Sequence, residues 1–137
     1  MDLPYIISKP AKLENLETFM NYIQEIETEL NLDPGLVNKI HLVLEEVLVN
    51  IMKYAYPAPG NQDNNYNISI KCGIQTQDSF CVQIKDQGLA FNPLETKDPD
   101  IHEDMEKRPI GGLGIYLVKQ MADHVEYKRE NQTNIIT

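Results

Sequence analysis

An α+β fold, a two-layer sandwich with helices on one side of a mixed, mostly antiparallel sheet, is what this 137-residue sequence predicts. Three observations predict it. Two long stretches repeat apolar residues at helical spacing, two later stretches alternate at strand spacing, and a glycine cluster opens a third helix before the chain returns to short strands. The length suits one core and is short for two, so residues 1–137 are expected to form a single domain.

Residues 3–8 read as a short strand whose early Pro4 suggests an edge position. Leu13, Leu16, Phe19, Met20, Ile23, Ile26 and Leu30 then recur at three- and four-residue intervals, the signature of one apolar helix face. Asp33-Pro34 supplies an N-cap followed by proline at the first helical position, and a second helix is expected from there to about Tyr54. Its broad apolar face, from Leu36 to Ile51, suggests a helix covered on much of its circumference.

Pro57, Pro59 and Gly60 break that pattern, and the polar residues 61–65 form a loop before strands near 66–74 and 79–86, which should pair as a hairpin. From Leu89 to Ile110 no periodicity is sustained, and Pro93, Pro99 and Pro109 sit among many charges. A loop of that length in a compact domain is often a functional lid, here placed at about residues 92–110. The acidic residues within it read as a solvated charge run that keeps it mobile. Gly111, Gly112 and Gly114 open a third helix that ends near Asp123, and two short strands, about 124–130 and 133–137, close the sequence. A final strand this short is expected to leave a sheet edge less well covered.

With 21 acidic against 12 basic residues the formal charge is -9, which repels a phosphate backbone, so direct nucleic-acid binding is not expected. Basic surfaces of other proteins are the partners such a charge favours. No run approaches the roughly 18 apolar residues of a membrane span, and the opening Met1-Asp2-Leu3-Pro4 lacks a basic signal-peptide segment, so the expected location is the cytoplasm. Cys72 and Cys81 lack metal or redox spacing. If Ile68, Ile70, Cys72 and Ile74 face inward on one strand, and Phe80, Val82 and Ile84 on the next, Cys81 faces the other way and a disulfide is excluded by parity. His41, His102 and His124 do not cluster in sequence and have no metal-ligand spacing.

Three segments carry candidate chemistry. On the second helix, Glu46, Asn50, Lys53 and Tyr54 fall at i, i+4, i+7 and i+8 and share a face, aligning a carboxylate, an amide oxygen and an ammonium. Hard oxygens suit Mg²⁺, and Lys53 is within reach of an attached phosphate, although the spacing alone is better described as a solvated polar stripe. The second segment, Asp86-Gln87-Gly88, follows a mostly buried strand: a carboxylate there accepts a hydrogen bond from an exocyclic amine, and Gly88 lets the backbone approach a flat ring. Alone it reads as an ordinary strand-ending turn, since Asp and Gly are the commonest turn formers. In the third, Gly111-Gly112-Leu113-Gly114, glycines ahead of a helix expose its free N–H groups where phosphates can sit, or simply form a hinge. The glycine spacing matches neither a Rossmann turn nor a P-loop.

The order of the three is more specific than any one. A helix bearing Glu-x-x-x-Asn-x-x-Lys, a strand ending in Asp-x-Gly, a charged lid, then Gly-Gly-x-Gly opening a helix resembles the N, G1 and G2 boxes of the GHKL (Bergerat-fold, histidine kinase-like) ATPases. The resemblance covers about residues 5–137. Within that superfamily, the Glu46-Val47-Leu48-Val49-Asn50 and Asp86-x-Gly88-x-Ala90-Phe91-Asn92-Pro93 runs look most like the anti-sigma-factor serine kinases of the RsbW and SpoIIAB type.

The resemblance implies ATP and Mg²⁺ as cofactors, Asn50 as the Mg²⁺ ligand and Asp86 as the residue that reads the adenine amino group, with Gly88 beside the base. Gly112, Leu113 and Gly114 would hold the phosphates, assisted by Lys53, and Thr133 is a further nucleotide-contact candidate. Glu46 would be the base for the attacking serine hydroxyl. The implied partners are a STAS-domain anti-anti-sigma protein and a sigma factor, with a PP2C-type phosphatase possible in the same pathway, no membrane, and a homodimeric state. Tyr54 stands where relatives often carry a basic or histidine residue, and Pro109-Ile110 where some carry arginine. Two other readings stay open: a nucleotide-gated binding module without significant kinase activity, and a bare ATP hydrolase.

Overall fold

The computed structural model describes residues 2–54, 66–76, 79–90 and 112–137. The expected loop at 61–65, the lid at 92–110, Gly111 and the Pro109-Ile110 pair lie outside the described residues, as does the side chain of Tyr54. Five strands and three helices follow in the order β1 (Tyr5–Pro10), α1 (Leu16–Glu29), α2 (Pro34–Tyr54), β2 (Asn67–Thr76), β3 (Ser79–Asp86), α3 (Gly112–Met121), β4 (Tyr127–Glu130) and β5 (Thr133–Ile136). The sheet runs β1-β2-β3-β5-β4, and each of its four pairings is antiparallel.

β1 is an edge strand, as its proline suggests, but it begins at Tyr5. Pro4 instead lies across the outer face of the sheet, where a Cβ on Gly73 would come within 2.7 Å of Pro4 Cδ. Leu13, expected on the first helix face, belongs to a 3₁₀ turn over Leu13–Asn15 and is exposed. Asn15 closes that turn by donating its amide to the Pro10 carbonyl, and the α-helix starts one residue later.

The junction between α1 and α2 follows from local chemistry. Asn31 adopts a left-handed φ of 52°, its N–H donates to Thr28 O, and the Leu32 N–H donates to Glu27 O, so two helix-end carbonyls are satisfied. Asp33 then caps α2, its carboxylate accepting the Gly35 N–H at 3.0 Å ahead of the proline-led first turn.

Phe19, Ile23 and Ile26 of α1 pack with Leu44, Val47, Leu48 and Ile51 of α2 and Val118 of α3 against Ile68, Ile70, Cys72, Ile84 and Ile136 of the sheet. This single cluster makes the two layers. The two central strands alternate as expected through Cys72, which stands opposite Val82, whereas Cys81 stands opposite Gly73, and neither cysteine forms a disulfide. Ile74, expected inward, is exposed where the β2–β3 ladder shifts register between Ile74 and Thr76.

The last hairpin departs most from expectation. β4 starts at Tyr127 rather than near residue 124, although Glu126 and Thr137 exchange backbone hydrogen bonds one step beyond the paired strands. Asn131 and Gln132 both have positive φ, 52° and 62°, the requirement of a two-residue type I′ turn whose twist suits a hairpin. That tight turn folds β4 to the outside, so the short final strand is interior, between β3 and β4, and the sheet edge falls on β4. Among the described residues, no helix is long and apolar enough to cross a membrane.

Candidate functional site

Antiparallel register brings three polar residues into one row. Asp86, the last residue of β3, stands opposite Asn134 of β5, which in turn stands opposite Arg129 of β4. All three lie on the helix-facing side, one step past the apolar row of Ile84, Ile136 and Tyr127. The core thus ends in a polar rung.

Asp86 is 3% exposed, and its Oδ1 accepts the Gly88 N–H at 2.8 Å and the Asn134 Nδ2 at 3.1 Å. Burial pushes its carboxyl pKa above the ordinary value, while the Gly88 N–H, the Asn134 amide and the Arg129 charge pull it back. Among the described residues both hydrogen bonds to the carboxylate fall on Oδ1 and none on Oδ2. Gly88 is buried directly beside it, so the chain leaves the strand in a turn held by the side chain it has just presented.

On α2, Glu46 and Asn50 are half-buried and Lys53 is exposed. The Asn50 Nδ2 donates back to the Glu46 carbonyl at 2.9 Å, the i to i−4 bond open to a polar side chain within a helix. With its nitrogen so engaged, Asn50 offers Oδ1, a hard oxygen of the kind Mg²⁺ takes from one or two protein groups. Among the described residues no three His, Cys, Asp or Glu side chains gather into a metal-binding cluster.

Gly112, Leu113 and Gly114 form the first turn of α3, where backbone N–H groups lack helical partners. α3 packs on α2, with Ile115 and Val118 buried. Thr133 alternates away from the Asp86 row and donates its hydroxyl to the Asn131 carbonyl of its own turn at 3.3 Å. The β5 residue in contact with Asp86 is its neighbour, Asn134. Asn134, Arg129 and Tyr127 were not among the candidates from sequence. Their signal was two polar residues at inward positions of a short terminal hairpin, visible only once the turn at Asn131-Gln132 sets the parity.

A two-layer α+β module with a buried carboxylate at a strand end and a glycine-led helix is the architecture of a nucleotide-binding ATPase domain. The model of the histidine kinase-like ATPase domain matches residues 9–137, and the chain belongs to that family. ATP is therefore its nucleotide. It is similar to the serine-protein kinase RsbW of Listeria monocytogenes, 24% identical over 132 residues covering 93% of this chain and 80% of the relative. The serine-protein kinase RsbW of Listeria innocua is 25% identical over the same shares, and that of Bacillus mycoides 21% identical over 93% of this chain and 78% of the relative.

Proposed function

We propose that this chain is an ATP-dependent protein-serine kinase that acts as an anti-sigma factor, phosphorylating a STAS-domain anti-anti-sigma partner in a partner-switching pathway. The observation that carries the reading is Asp86: a carboxylate buried to 3% exposure and anchored through Oδ1, with no hydrogen bond to Oδ2 among the described residues. An oxygen so placed suits the exocyclic amine of adenine. The names of the relatives, serine-protein kinases, support the choice of a protein serine as acceptor.

In this reading the whole chain, 1–137, works as one domain. Asp86 and Gly88 receive the base, Gly112, Leu113 and Gly114 present N–H groups to the phosphates, and Lys53 adds a positive charge. Asn50 Oδ1 would hold Mg²⁺, which together with ATP supplies an activated phosphoryl group. Glu46, one turn before Asn50 on the same helix face, takes the proton of the attacking serine hydroxyl and orients it. The formal charge of -9 suits a basic surface on the sigma factor. A homodimer, and a PP2C-type phosphatase that reverses the phosphorylation, complete the proposed pathway.

Calorimetric titration with ATP, with and without Mg²⁺, tests the site. Asp86→Asn should abolish binding, and Asn50→Ala should remove its Mg²⁺ dependence. Glu46→Gln should still bind ATP while failing to transfer phosphate to a STAS-domain protein. If the wild type binds ATP but transfers nothing, the chain is a nucleotide-gated binding module; if it binds no ATP, the site reading is wrong.

A further inference from the structure

Asn134 is 3% exposed and uses every hydrogen-bonding capacity of its amide. Its Nδ2 donates to Asp86 Oδ1 at 3.1 Å and to the Leu89 carbonyl at 2.8 Å. Its Oδ1 accepts the Tyr127 hydroxyl at 2.6 Å and an Arg129 guanidinium N–H at 2.9 Å. Turning the amide over would set its oxygen against a carboxylate and a carbonyl, and its NH₂ against a guanidinium. The phenol and the cation therefore dictate which way the amide donates. Arg129 also donates to the Gly88 carbonyl at 3.1 Å, so the turn after β3 is clasped at Gly88 and Leu89 by the same two side chains.

We propose that Asn134, oriented by Arg129 and Tyr127, is a positioning residue for base recognition: it holds Asp86 as a pure hydrogen-bond acceptor, and so selects a 6-amino purine over a 6-oxo purine. The proposal rests on the reading of Asp86 as the group that meets the base. An ionised carboxylate only accepts, and a 6-amino purine offers it a donor. A protonated Asp86 carries an O–H and tolerates the oxygen of a 6-oxo purine. Burial favours the protonated form, and the Asn134 amide is one of the contacts that oppose it. Arg129 is the charged side chain on this face of β4 and β5, while Lys85, Lys128 and Glu130 alternate to the other face. On the helices packed against the sheet, α2 carries Glu46 and Lys53 and α3 carries Lys119, while the charge that acts on Asp86 is Arg129.

The test is calorimetric titration of the full chain with ADP and with inosine diphosphate over a pH series from acid to neutral, the direction in which burial shifts the Asp86 carboxyl. Asn134→Ala should weaken ADP binding at neutral pH by roughly ten- to a hundred-fold, the worth of one hydrogen bond to a charged group. Inosine diphosphate should lose less, and the pH below which ADP binding fails should move up. Arg129→Ala, at a more exposed position than Asn134, should move all three readouts the same way by a smaller amount, with Arg129→Lys recovering part of the loss. Equal weakening of both nucleotides with an unchanged pH profile would mean that Asn134 is merely structural, and would overturn the proposal while leaving Asp86 as the base reader. Wild-type protein that binds neither nucleotide would overturn both.

Discussion

Asn134 donates its amide to Asp86 Oδ1 across 3.1 Å from the strand position that pairs with Asp86 itself, 48 residues away in sequence. The strand ladder that builds the sheet thus also builds the candidate site. A carboxylate held ionised in a buried row is costly to the fold, and that cost has measurable consequences.

Asp86→Asn is expected to be as stable as the wild type or more so at neutral pH, even as it loses the nucleotide. The folded-state pKa of Asp86 is raised, chiefly by burial, so its contribution to stability is fully present below the unfolded carboxylate value of about 3.9 and is lost as pH rises through the folded value. Removing the charge removes that loss. Thermal unfolding at neutral and acid pH checks it: the difference in Tm should shrink toward acid, and a lower Tm for Asp86→Asn at neutral pH would show that the hydrogen bonds of the anion outweigh its burial.

Glu27 of α1 and His41 of α2 form a second polar contact, Glu27 Oε1 meeting His41 Nε2 at 2.5 Å with the carboxylate only 4% exposed. Among the described residues, Glu27 Oε2 is buried without a hydrogen-bond partner. His41→Ala should cost about 1–3 kcal/mol in urea unfolding, because it strands the remaining oxygen as well. The double substitution Glu27→Leu with His41→Leu should recover most of that loss, since an apolar pair carries no desolvation penalty. A double variant as unstable as the single one would mean that the pair specifies the packing of the two helices.

Gly73 is buried under residues 2–4, and a methyl group there meets Pro4 Cδ at 2.7 Å. Gly73→Ala should destabilise by about 1–3 kcal/mol through overpacking. Pro4→Ala removes the opposing atom, so the two substitutions together should cost less than their sum, a coupling read directly from a double-mutant cycle. Additive effects would mean the segment simply lifts off the sheet.

Cys72 sits fully buried on the helix-facing side of β2, and burial pushes its thiol up to about 11. At pH 8 about one such thiol in a thousand is ionised. Alkylation of Cys72 in the native protein should therefore proceed at the rate of global opening, and slow in step with any stabilising ligand. Rapid labelling under native conditions would contradict the packing of the β2 core.

Periodicity and punctuation alone determined most of the elements. Asp33-Pro34 started α2 where it starts, the apolar spacing from Leu16 to Ile26 set the buried face of α1, and alternation through Ile68, Ile70 and Cys72 set the inward side of β2. These are local consequences of a 3.6- or two-residue repeat, so the residues concerned carry their own instructions. The same repeats aligned Glu46, Asn50 and Lys53 on one helix face.

Tertiary structure alone decided what surrounds Asp86. Which strand lies beside β3, and in which register, depends on a turn with two positive φ values at Asn131-Gln132 and on pairing between segments far apart in the chain. A shift of one residue in that register would have set Thr133 beside Asp86 and turned Asn134 to the other face, because side chains on a strand alternate. The turn fixes β4 against β5, but only the long-range ladder with β3 sets Asn134 opposite Asp86, and with it comes the full row of Asp86, Asn134 and Arg129.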